Sequence, residues 1–121
     1  MKLALCSTGQ EFTSTLDERF GRTNYFIFYN TESSEMDVVE NSAREAAGGA
    51  GGLAVQQLVD NGVEILIAPE VGPQALDALN RFNIPAFKQG IFKTAERAIA
   101  AWGNGELIEI EKPGNKGLHK A

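Results

Sequence analysis

Arg19-Phe20-Gly21-Arg22 places two guanidinium groups on either side of a Phe-Gly pair. Arginine keeps its charge and presents a planar fork, which suits oxyanions and thioanions. Gly21 gives the backbone a shape that brings the two side chains near one another. The same four residues also read as a turn, with Arg19 paired to Asp17 or Glu18. Gly48-Gly49-Ala50-Gly51-Gly52 is a second feature. No Lys-Ser or Lys-Thr follows it, and it does not sit directly after a strand, so it is neither a Walker motif nor a dinucleotide fingerprint. It reads either as a loose connection or as a place where backbone N–H groups approach a ligand. Pro69-Glu70-Val71-Gly72-Pro73 is a third break, between an apolar run and a helical pattern. Cys6 is a soft-metal ligand if it is exposed as a thiolate, and a small buried hydrophobe otherwise. His119 stands in a Lys- and Gly-rich tail, where a solvated imidazole is the ordinary reading. Asp17, Glu18, Asp60, Glu64, Glu70 and Asp77 show no spacing that declares a two-metal carboxylate site.

Composition narrows the chemistry further. The chain of 121 residues carries 11 Lys and Arg against 16 Asp and Glu, a formal net charge of −5. An acidic surface repels phosphate, so general binding of nucleic acid or an anionic membrane is not expected. One cysteine and one histidine exclude an intramolecular disulfide, any CxxC motif and an ordinary zinc site. Hydrophobic residues at 43% and charged residues at 22% fit one globular domain, which buries roughly two-thirds of its unfolded surface. No apolar run approaches the ~18 residues needed to span a bilayer. The apolar start Met1–Cys6 is too short for a signal sequence, so a cytoplasmic protein with a reduced thiol is expected.

Strands and helices must position these loops. Leu3–Cys6 is a short buried strand, and the polar stretch Ser7–Glu18 is a long loop. Tyr25–Tyr29 and Met36–Glu40 flank turn-forming residues and predict a hairpin, with Phe26 and Phe28 on one side and Tyr25, Ile27 and Tyr29 on the other. From the glycine cluster to Asn61-Gly62 a helix is expected, with Leu53, Ala54, Val55, Leu58 and Val59 inward. Val63–Ala68 is nearly all apolar, typical of a strand covered on both faces. Ala75, Leu76, Leu79 and Phe82 recur at helical spacing, and Asn83 and Pro85 stop that helix. Ile84–Lys88 is a further strand. Thr94 caps a third helix lined by Ala95, Ala98, Ile99 and Trp102. Glu106–Glu111 is a candidate last edge strand, and residues 112–121 form a loose tail after a single domain over 1–111. Strands alternating with helices after a hairpin imply a mixed sheet carrying helices. Ligands of such sheets bind beyond the carboxyl ends of the strands. If the first and fourth strands are parallel neighbours, the end of strand one and both glycine-bearing corners converge on one anion-favouring site.

Arg19-Phe20-Gly21-Arg22 followed by Thr23-Asn24-Tyr25-Phe26, the later Gly-Gly-Ala-Gly, and Val71-Gly72-Pro73 after a strand together resemble the dinitrogenase iron–molybdenum cofactor biosynthesis family. The resemblance runs from about Met1 to Pro113. It implies a ribonuclease-H-like α/β fold, with a mixed five-stranded sheet flanked by three helices. It also implies a non-catalytic carrier of iron–molybdenum cofactor, its precursors, or related molybdenum–sulfur clusters, bound transiently. Several relatives have histidines near the glycine-rich loop, whereas Ser42–Gly52 here contains none. The matching residues are Phe20, Gly21, Arg22, Gly48, Gly49, Gly51, Gly52 and Gly72.

The reading reached from the sequence is a carrier for an anionic metal–sulfur cluster. Arg22 with Arg19 neutralises the cargo, and N–H groups around Gly49 to Gly52 and Gly72 donate to it. Cys6 is the candidate metal ligand. Unidentified cluster donor and acceptor proteins are the expected partners of a monomer or weak homo-oligomer. Two other readings stand beside it. One is a regulatory or interaction module that binds a small anion without metal. The other is a metal-dependent nuclease, which needs several converging carboxylates that the sequence does not display.

Overall fold

The computed structural model describes residues 1–112. The expected tail and His119 lie outside the described residues, apart from Lys112. Five strands and three helices follow in order: β1 (Lys2–Ser7), β2 (Tyr25–Asn30), β3 (Met36–Glu40), α1 (Ala50–Asp60), β4 (Ile65–Ala68), α2 (Pro73–Arg81), β5 (Ala86–Lys88) and α3 (Ala95–Gly103). The strands form one sheet in the order β3-β2-β1-β4-β5. β2 runs antiparallel to both β1 and β3, while β1–β4 and β4–β5 are parallel. The sheet is therefore mixed, as expected, and β1 does lie beside β4, with Ala4 opposite Leu66.

Side chains alternate across the sheet and build two cores. On one face Ala4, Cys6, Phe26, Phe28, Leu66 and Ala68 meet the buried stripes of α1 and α2. On the other, Leu3, Leu5, Ile27, Ile65 and Ile67 meet α3. β4 is buried along its whole length because helices cover both its faces. Phe87 and Trp102 pack edge to face, with ring centroids 4.9 Å apart.

Three local expectations are corrected. Leu53 is 51% exposed, because the buried stripe of α1 runs through Ala50, Ala54, Val55 and Leu58 and leaves Leu53 at its edge. Phe82 caps the C-terminus of α2 rather than extending its inner stripe, and is 46% exposed. Residues 106–111 run beside β5 but form only one bridge, Phe87 to Glu109, since β5 itself is three residues long. The helix ends follow their punctuation. Gly62 at φ 70° and Asn83 at φ 59° turn the chain after α1 and α2. Thr94 accepts from the Arg97 N–H at the start of α3. Among the described residues no helix is long and apolar enough to cross a membrane.

Candidate functional site

α1 and α2 pack side by side on one face of the sheet, so their N-termini emerge close together. Gly51 of α1 lies against Ala75 of α2 so tightly that a Cβ on Gly51 would sit 3.0 Å from the Ala75 Cβ. The first intrahelical bond of α1 runs from the Leu53 N–H to Gly49 O at 3.1 Å. The N–H groups of Ala50, Gly51 and Gly52 are left outside the ladder. In α2 the first bond runs from the Leu76 N–H to Gly72 O at 2.9 Å. Pro73 has no N–H, and those of Gln74 and Ala75 are left outside. Neither helix has a side-chain cap or an acidic residue in its first turn. α3 has both, in Thr94 and Glu96. Neither positive dipole end is thus offset by a side-chain cap or first-turn carboxylate of its own helix.

The loop carrying Phe20, Gly21 and Arg22 closes the third side. Phe20 is buried, its ring 6.0 Å from that of Phe26. Gly21 is pressed against the start of α1, where an added Cβ would stand 2.8 Å from Gly51 N and 3.1 Å from Ala50 C. Only glycine permits that approach, which explains its place between Phe20 and Arg22. Arg22 is exposed. Its Nη1 donates to Arg44 O at 2.7 Å and its Nη2 to Ala46 O at 3.0 Å. These two bonds hold the chain segment that leads into the glycine cluster. Three of the five guanidinium N–H groups remain for a ligand.

The result is a cleft of about 520 Å³. Phe20, Gly21 and Arg22 line it from the loop, Ala50 and Gly51 from α1, and Glu70, Gly72, Pro73, Gln74 and Ala75 from the β4–α2 corner. Five of the residues singled out in the sequence therefore meet here: Phe20, Gly21, Arg22, Gly51 and Gly72. Gly48, Gly49 and Gly52 are exposed and lie beside the cleft in sequence without lining it. Gly49 has a structural task, since φ 70° at the N-cap swings the chain into α1.

Arg19 and Cys6 are not brought to the cleft. Arg19 turns back on Asp17, its Nε donating to Oδ1 and its Nη2 to Oδ2, each at 3.1 Å. The ion-pair reading of Arg19 is the one the structure takes. Asp17 is 3% exposed. Burial would raise its carboxyl, but hydrogen bonds from the Arg19 side chain and from the Arg19 and Asn24 N–H groups, with the Arg19 charge, hold it below the usual carboxylate range. Cys6 is fully buried in the face of the sheet that packs on α1 and α2. Burial, aided by the charge of Asp17, pushes its thiol far up, so the thiolate needed for metal ligation is disfavoured. Strand alternation fixes this outcome, because Cys6 shares its face with Ala4.

Asn41 escaped sequence reasoning. It is 2% exposed, and its Nδ2 donates to Gly21 O and Thr23 O, both at 2.9 Å. Its Oδ1 accepts from the Ala43 N–H and from Gln57 of α1. One amide thus ties the Gly21 loop to the helix that faces it. The Asn-Ser-Ala turn after β3 was the available signal. Gln74 gained its place from tertiary contact alone, while Glu70 belongs to the Pro69–Pro73 corner already singled out in the sequence. Among the described residues no three His, Cys, Asp or Glu side chains come together as a metal site.

Residues 1–105 match the dinitrogenase iron–molybdenum cofactor family. The chain belongs to that family. The apo orange protein from Desulfovibrio gigas superposes with a TM-score of 0.90 at 25% identity, over 94% of this chain and 96% of that one. A Thermotoga protein assigned provisionally to NifB gives a TM-score of 0.81 at 36% identity, over 96% and 98% of the two chains. A protein of Methanocaldococcus jannaschii is 28% identical over 99 residues, covering 79% of this chain and 83% of its own. Family membership thus agrees with the motif around Gly21, whose residues form one wall of the cleft.

Proposed function

We propose that this protein is a non-catalytic carrier for an anionic metal–sulfur cluster or its precursor, of the iron–molybdenum type, held in the cleft between the Gly21 loop, α1 and α2. The observation that carries the reading is the meeting of Arg22 with two uncapped helix N-termini in one cavity. Backbone N–H groups and a guanidinium are donors for sulfide or oxide ligands. They attach to the outer ligands of a cluster and leave its metal–sulfur bonds intact, so the cargo can depart whole. Family membership and the likeness to the orange protein and the NifB-assigned protein support this class of cargo. On this reading the sheet is ribonuclease-H-like, and cluster donor and acceptor proteins are the partners.

The test is anaerobic titration with tetrathiomolybdate, followed by its visible absorption and by calorimetry. Saturable binding with a stoichiometry near one is expected. Arg22→Ala should weaken it by about 1–3 kcal/mol with the far-ultraviolet circular dichroism unchanged. Absence of binding by the folded wild type at millimolar anion would end the proposal.

A further inference from the structure

Glu70 is out of place in a cavity built for anions. It lies at the β4–α2 corner and lines the same cleft as Arg22. Among the described residues its carboxylate has no ion-pair partner within 4.0 Å and no side-chain hydrogen bond. It neither caps α2, whose N-cap is Gly72 without a side-chain bond, nor supports the fold by burial, being exposed. A free carboxylate beside a guest acts on that guest through charge.

Resting on the carrier reading, we propose that Glu70 determines which anions the cleft accepts, by discounting them in proportion to their charge. The repulsion between a fixed carboxylate and a bound ion scales with the ion's charge, so a dianion suffers twice the penalty of a monoanion of equal size. Arg22 and the helix N-termini attract every anion, and Glu70 subtracts from that attraction most strongly for compact, multiply charged species. The guest that suits the cleft carries low net charge or spreads its charge over a large body. Specificity of this kind comes from a repulsive element set among attractive ones.

The test compares wild type with Glu70→Gln on two tetrahedral ions of similar size, tetrathiomolybdate with two charges and tetrathiorhenate with one. At low salt Glu70→Gln should bind the dianion about tenfold more tightly and the monoanion about threefold, the second being the square root of the first. Both gains should shrink toward unity at molar salt, where screening acts within about 3 Å. Equal gains for the two ions, or gains indifferent to salt, would show a steric effect and overturn the proposal. If wild type binds and Glu70→Gln binds identically, the role of Glu70 falls while the carrier reading stands. If neither protein binds either ion, both readings fall together.

Discussion

Gly21 shows how one missing side chain shapes a site. The atoms nearest its absent Cβ are backbone atoms of Ala50 and Gly51, which cannot rotate aside as a flexible side chain would. Gly21→Ala must therefore push the loop away from α1, or α1 away from the sheet. Overpacking of this kind costs about 1–3 kcal/mol. The urea midpoint should fall with an unchanged slope, and tetrathiomolybdate affinity should fall with it because the displaced loop carries Arg22. Arg19 and Arg22 flank the same Phe-Gly pair and end in opposite situations. Arg19 is bound to Asp17 at 3.1 Å, whereas Arg22 holds two carbonyls and keeps three donors free. The sequence left Arg19 two readings, a cargo contact or a pair with Asp17 or Glu18, and the tertiary structure chose the pair.

The two helices contribute as elements through their starting turns. A helix N-terminus normally gathers a Ser, Thr, Asp or Asn cap, or an acidic residue. α1 and α2 have neither, so each forgoes stability at the end that faces the cleft. Gln74→Glu places a carboxylate in the first turn of α2. It should raise the stability of the fold by about 0.3–1 kcal/mol through the helix dipole. The same carboxylate enters the cleft and should weaken tetrathiomolybdate binding severalfold at low salt. Thermal unfolding and anaerobic titration of one variant would read the two effects, which are expected to have opposite signs. A stabilised variant with unaltered affinity would show that the start of α2 plays no part in holding the anion.

On the scale of the whole molecule, the loop between β1 and β2 is anchored by buried polar groups rather than by apolar packing alone. Asp17 accepts from Arg19, Asn24 and the Thr23 hydroxyl, and its own carbonyl accepts from Gln89 at the end of β5. The loop after the central strand β1 is thereby tied to the chain leaving the edge strand β5. Because the folded Asp17 carboxyl titrates below its ordinary value of 3.8, its contribution is complete above that value. It is lost as pH falls through the lower folded value. Asp17→Asn should therefore cost about 1–3 kcal/mol at neutral pH. The gap between the two proteins should close only in acid, in urea melts taken at successive pH values. A gap that stayed constant into strong acid would assign the loss to packing instead of charge.

Much of the architecture was determined locally. Apolar runs such as Tyr25–Tyr29 and Val63–Ala68, the stops at Gly62 and Asn83, and the Thr94 cap define elements through period, backbone freedom and hydrogen bonding within a few residues. The Phe-Gly-Arg motif and the glycine-bearing corners were likewise visible as places where chemistry could gather. What only the tertiary structure decided was which of those residues share a space. Pairing of β1 with β4 set two helix starts side by side, left Gly51 and Gly72 lining one cleft with Arg22, and drew in Gln74 and Glu70 on either side of Gly72. It also turned Cys6 into the core and gave Arg19 to Asp17. Distances between residues far apart in the chain depend on packing of whole faces, and no local pattern encodes them.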